Sequence, residues 1–228
     1  MSSEVFEFCT SVHIVEDIIN VIFHTILFNR CSGKLRLTDA GKFKTGSIGY
    51  QDVSCNKINF SHIRLTSPKF IKYVDDLIRK VLNSIAEKQD SKEMQVNLIF
   101  YRKSVESIAF DSEQHDAIWE KWTILFKLVP NMSGSVYLNQ AQLDLSNALL
   151  RIAQFVGRTE CPQSDNPEEW SLLYNSHFDD ISPYHFTISC TFDSDSKEAE
   201  FAYTKAVKEF LLADRSKQLM SAKFLHGK

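Results

Sequence analysis

Hydrophobic positions recur along this chain in blocks that read as separate elements. The strongest block spans residues 119–129, where Trp122, Ile124, Phe126 and Leu128 fall on one face at period two. Thr123 and Lys127 lie opposite. Leu125 shares that second face, so this strand is expected to be covered in part on both sides and to sit inside a sheet. Residues 95–103 alternate around Val96, Leu98 and Phe100 and supply a natural antiparallel partner. Between the two runs lies a polar connection, residues 107–116, with two isolated apolar side chains, Ile108 and Phe110. No periodic pattern buries them. An apolar tip on a rigid base points to recognition rather than chemistry. The alternative is that Phe110 folds back onto the core.

The remaining blocks follow in order. Residues 4–12 alternate around Phe6, Phe8 and Val12 and read as a first strand. Residues 14–28 read as a helix, apolar nearly all round and therefore buried. His24 within it reads as a satisfied buried imidazole. Residues 29–33 end that helix, with Gly33 as a turn residue. A short strand at 34–37 and a loop or hairpin over 38–49 come next. Residues 57–65 read as a strand, with Ile58 and Phe60 facing one way and Ile63 and Leu65 the other. That switch of parity suggests a bulge. Ser67 and Pro68 open the clearest helix, as N-cap and first helical residue, and its apolar stripe runs from Phe70 to Ile85. A turn at 130–135 leads to a third helix over 140–156, with Gly157 as its cap. Residues 158–166 are polar and irregular, and Trp170 to Leu173 return to the core. A last strand covers 184–192 with Tyr184, Phe186, Ile188, Cys190 and Phe192 inward. Residues 197–213 pattern as a final helix. Strands and helices intermix without regular alternation, which predicts an α+β fold, helices packed on one face of a mostly antiparallel sheet.

Composition narrows the function. The 228 residues contain no Pro/Gly/Ser-rich linker, so one domain is expected. Seven glycines and five prolines fall below average usage, and seventeen phenylalanines promise a large aromatic core. The 26 basic and 29 acidic side chains leave a net charge of −3, with no global attraction to nucleic acid or anionic membrane. Cys9, Cys31, Cys55, Cys161 and Cys190 are dispersed and form no CxxC, which argues against a disulfide framework or structural zinc and fits a reducing cytosol. No secretory signal is expected. The most apolar window, 14–28, is interrupted by Glu16, Asp17, Asn20, His24 and Thr25, so no direct membrane span is expected either.

Motifs for chemistry are weak. Residues 41–47 have the outline of a phosphate loop, but no Lys precedes Ser47. Residues 46–49 match the G-x-x-G clamp of KH modules by four letters only, and no nucleic-acid partner is expected. His177 and His185 flank Asp179 and Asp180, yet Phe178, Ile181 and Pro183 among them indicate a loop rather than a metal group. There is no GxSxG and no suggested Cys–His pair. No catalytic residue, metal ligand or cofactor is expected, and the chain does not read as an enzyme.

Four stretches together resemble one family. They are residues 24–30 (HTILFNR) with 32–34 (SGK); 48–55 (IGYQDVSC) with 58–60 (INF) and Arg64; 119–123 (WEKWT); and 178–184 (FDDISPY). Their order and spacing are similar to those of the autophagy-related protein 101 family, the small HORMA-domain subunit of the autophagy-initiation kinase complex. The resemblance implies a HORMA domain over residues 4–212, three helices behind a β-sheet. The tail, 213–228, has no counterpart in it; its pattern is lost and it is expected to be mobile. It implies a scaffold without catalysis, in the cytoplasm and at autophagosome formation sites. Such a scaffold pairs with the HORMA domain of autophagy-related protein 13, protects it, and recruits downstream factors. The family's exposed Trp-x-Phe finger falls on residues 108–110. Phe110 matches it, while Ile108 stands in place of Trp, buries less, and lacks the indole N–H. Asn29, Arg30, Asp52 and Val53 sit in matching motifs and are candidates for the dimer surface; a purely structural role at a helix end and a tight turn is the alternative. The functional alternative is a HORMA signalling module of another pathway, clasping a partner peptide under a movable segment, 158–183.

Overall fold

The computed structural model describes residues 1–37, 43–88, 91–104, 117–129, 134–164 and 166–193. The chain divides into two units, 1–190 and 191–228, and of the second only residues 191–193 are described. In chain order the elements are β1 (Ser2–Thr10), α1 (Val12–Asn29), β2 (Cys31–Gly33), β3 (Leu35–Leu37), β4 (Phe43–Thr45), β5 (Tyr50–Ser54), β6 (Ser61–Leu65) and α2 (Pro68–Glu87). Then come β7 (Glu93–Arg102), β8 (Ala117–Leu128), α3 (Ser135–Arg158), a 3-10 turn (Pro167–Glu169), α4 (Trp170–Leu173), β9 (Ile181–Pro183) and β10 (Phe186–Phe192). The predicted helix over 197–213 and the 212/213 boundary lie outside the described residues, as do 130–133 of the predicted turn.

The run with the strongest alternation sits inside the main sheet, whose order is β1-β8-β7-β10. β8 pairs parallel with β1 and antiparallel with β7. The registers Phe6 with Ile124, Met94 with Phe126, Val96 with Ile124 and Leu98 with Trp122 put the even-numbered side chains of three strands on one face. All of these are buried. The helices cover that face. Phe155 of α3 meets Trp122 at 4.6 Å between ring centroids, and Phe70 of α2 meets Phe186 at 6.0 Å. α1 packs against α3, α2 and β6. The α+β arrangement read from the patterning is therefore the one observed. On the opposite face, Thr123 and Asn97 are also buried, and the Thr123 hydroxyl donates to Asn97 Oδ1 at 2.9 Å.

By length and apolar content α1 could cross a membrane. Here it is the core helix, with eleven residues buried, His24 and Asp17 among them. Its start corrects one expectation. The strand ends at Thr10, so Val12 begins the helix and is 55% exposed rather than inward. Gly33 is not a turn residue either. It lies in β2, and a Cβ there would come within 1.8 Å of the Gly46 carbonyl oxygen. Glycine is needed for that close approach.

The parity switch in 57–65 marks a turn, not a bulge. Asp17 of α1 accepts N–H bonds from Lys57 (2.8 Å) and Ile58 (3.0 Å), and the strand proper starts at Ser61. Its antiparallel partner β5 escaped the patterning because its side chains alternate only between exposed and half-buried. Ser67 does precede α2, but its hydroxyl donates to Asp180 Oδ1 instead of capping the helix. Gly157 lies within α3, which runs to Arg158 and is capped by Thr159, whose N–H donates to the Phe155 carbonyl. The predicted strand 184–192 is interrupted: Tyr184 forms an isolated bridge with Tyr174, and β10 starts at Phe186.

Candidate partner-binding surface

Ile108 and Phe110 lie outside the described residues; the stems that carry their connection do not. β7 and β8 remain paired up to Arg102 and Ala117, with a register shift at Phe100/Tyr101. The Tyr101 N–H donates to the His185 carbonyl at 3.1 Å, and the Lys103 N–H to the Leu172 carbonyl at 2.9 Å. Arg102 pairs with Glu169 at 3.0 Å across the surface. On β8, Trp119 packs between Phe100 (5.4 Å) and Tyr184 (5.1 Å). Both ends of the connection thus leave a strand pair braced by α4 and by residues 184–186.

Of the candidate dimer residues, Asn29 and Asp52 are exposed and Val53 is half-buried. The Asn29 side-chain N–H₂ donates to the Thr25 carbonyl at 2.8 Å and finishes α1. Phe28 meets Tyr50 edge to face at 5.9 Å, which brings the end of α1 to the start of β5. Tyr50 is 63% exposed, so an aromatic face lies open beside these positions.

Arg30 is placed differently. It is 2% exposed and sits inside the molecule. Its Nε and Nη2 each donate to a carboxylate oxygen of Glu120 at 2.8 Å, a bidentate pair. Trp122 Nε1 donates to the same carboxylate at 2.7 Å. Burial opposes the charge on Arg30, but the hydrogen bonds and the negative charge of Glu120 outweigh it and hold the guanidinium above its ordinary pKa. This triad fastens the end of α1 to the middle of β8. Sequence reading missed it, although one signal was present: Glu120 is a carboxylate at the parity of Trp122 and Ile124.

The segment after α3 is tied down at several points. The Tyr184 hydroxyl donates to the Pro162 carbonyl at 2.9 Å, and Trp170 Nε1 to the Ser164 carbonyl at 3.1 Å. β9 pairs antiparallel with β2, and Lys34 Nζ donates to the Phe178 carbonyl. Among the described residues no three His, Cys, Asp or Glu side chains group as metal ligands. His177 bonds Asn175, and Asp179 pairs with Lys69 on the surface.

The sequence profile of the family described as autophagy-related protein 101 matches residues 8–165. The chain belongs to that family. Autophagy-related protein 101 of Xenopus tropicalis is 25% identical over 191 residues, covering 82% of this chain and 87% of the relative. The human and mouse proteins of the same name are 24% identical over the same coverage. Membership of the autophagy-related protein 101 family supports a role in autophagy. The matched span includes both stems of the 105–116 connection, the buried Arg30–Glu120 pair, and the Asn29 and Asp52 surface.

Proposed function

We propose that this chain is a non-catalytic adaptor of the autophagy-initiation complex. In this reading it forms a HORMA domain that pairs with the HORMA domain of autophagy-related protein 13 and stabilises it. It then recruits downstream factors through the connection carrying Ile108 and Phe110, in the cytoplasm and at sites of autophagosome formation. The family match over residues 8–165 carries the proposal. Three helices on one face of the sheet fit a HORMA fold, and the braced β7–β8 stems suit a presenting role. For the dimer surface, the exposed Asn29, Asp52 and Tyr50 and the half-buried Val53 are the candidates that a partner can reach. Arg30 would act beneath them, by holding the end of α1. The bonds made by Pro162, Ser164, Trp170 and residues 181–183 support the adaptor over a peptide clasp under a movable segment, 158–183.

Calorimetric titration against the HORMA domain of autophagy-related protein 13 from the same organism tests this. The expected result is one-to-one binding at micromolar affinity or tighter. Absence of heat with both proteins folded would reject the pairing.

A further inference from the structure

Strand β5 has one edge in use and one open. It pairs with β6 in an unbroken antiparallel register, from Tyr50 with Leu65 to Ser54 with Ser61. Just outside that run, the Thr66 N–H donates to the Gly49 carbonyl at 3.1 Å, and the Cys55 N–H to the Phe60 carbonyl at 2.8 Å. Both contacts continue the same register, so the hydrogen-bonded pairs fall at the odd positions of β5. Gln51 and Val53 therefore turn their backbone groups into the hairpin. Tyr50, Asp52 and Ser54 turn theirs outward, and among the described residues no backbone hydrogen bond meets them there. All three residues are exposed.

An open edge is a template for one more strand, and folded proteins usually guard it with Pro, Lys, a bulge or a covering side chain. β1 shows such a guard: Arg151 of α3 donates to the Val5 carbonyl at 2.7 Å. β5 has no Pro, no Lys and no bulge, and its one charge is Asp52. That charge selects the occupant. Two copies of β5 laid antiparallel with all three outward positions paired would set Asp52 against Asp52, and like charges directly opposite are destabilising. Lys or Arg opposite Asp52 is favourable instead. Two positions away, Tyr50 meets Phe28 edge to face and keeps an open aromatic surface that an apolar side chain can cover.

We infer that β5 is a docking edge for an extended segment of another protein, added as a strand with Lys or Arg opposite Asp52 and an apolar side chain level with Tyr50. The assignment does not rest on the proposed pairing. Titration of the full chain with the capped peptide Thr-Val-Thr-Lys-Thr-Val-Thr, followed by amide NMR shifts and hydrogen exchange, tests it. The peptide reads the same in both directions, so either strand orientation brings Lys to Asp52 and Val to Tyr50. Saturable shifts and slowed exchange are expected at Tyr50, Asp52 and Ser54, with Gln51 and Val53 already slow before the peptide is added. Binding should be several-fold weaker when Glu replaces Lys in the peptide. Ser54→Pro removes one outward N–H at an edge position, where Pro is tolerated, and should abolish binding. If that variant does not fold, the alternation of protected amides and the preference for the Lys peptide decide in the unaltered chain. No saturable change, equal binding of the two peptides, or slowing that ignores the alternation overturns the site. Protection of the three amides before any peptide is added also overturns it. Dependence of that protection on protein concentration would assign the edge to a second copy, and independence to another part of this chain.

Discussion

Glu120 is the charged side chain on an otherwise apolar face of β8, and it is fully buried. Its carboxylate is tolerated because Arg30 and Trp122 supply three hydrogen bonds to it. Removing one member of a buried pair leaves the other charge without compensation, which typically costs about 3–5 kcal/mol. Glu120→Ala is expected to lose that much in urea unfolding, since it strands both the guanidinium and the indole N–H. Arg30→Met with Glu120→Gln removes both charges and keeps an acceptor for Trp122, so the double variant should be less destabilised than Glu120→Ala. The same residue scale governs the response to acid. His24 is folded with a pKa of about 3 against 6.5 when free, so from pH 6.5 downward the unfolded chain binds the extra proton. Stability is therefore fully present above about pH 6.5 and is lost as the pH falls toward 3. The slope reaches about 1.4 kcal/mol per pH unit for such a histidine. Urea midpoints at pH 7.5, 6.5 and 5.5 should fall in that order, and His24→Leu should flatten the trend.

At the scale of elements, what the sequence made legible was whatever repeats. β7, β8 and α2 carry unbroken periodicity because one face of each meets the core. β5 has no such face, since it lies at the surface beside β6, and its pattern gave nothing to detect. The turn before β6 is held by Asp17, about forty positions earlier, and no local pattern can reveal an acceptor that distant. The same limit applied to the candidate surface. Asn29 and Asp52 could be placed at element ends from their neighbours alone, whereas the burial of Arg30 depends on Glu120, ninety positions on. Asp17→Ala should test the turn directly. Hydrogen bonds to a charged acceptor are worth about 1.5–3 kcal/mol. A loss of that order is expected, with faster amide exchange at Lys57 and Ile58; unchanged exchange there would remove Asp17 from its assigned role. Gly33→Ala should also destabilise, by about 1–3 kcal/mol as overpacked sites do, because the Gly46 carbonyl must move to admit a methyl group.

At the scale of the whole molecule, the proposed recruiting role uses the described core as a mount. β8 lies between a parallel and an antiparallel neighbour, and its start is fixed through Trp119 and through β7. If the connection stands clear of the core, a residue carried on it can be changed without loosening the stems, which rest on Phe100, Trp119, Tyr184 and the Arg102–Glu169 pair. In that case Phe110→Ala should leave the urea midpoint and the proposed pairing with autophagy-related protein 13 unchanged. If Phe110 is the anchor of the recruiting contact, its loss costs about 2 kcal/mol, on the order of thirtyfold in Kd for the recruited factor. Ile108 makes the opposite change informative. Trp buries more surface than Ile and adds an N–H donor, so Ile108→Trp should tighten recruitment if the contact resembles that of the family's finger. Weaker binding in Ile108→Trp together with loss in Phe110→Ala would mean that the recruited surface has adapted to Ile. Unaltered recruitment in both variants would remove the finger from the mechanism and move the search for the recruiting surface to Asn29, Tyr50 and Asp52.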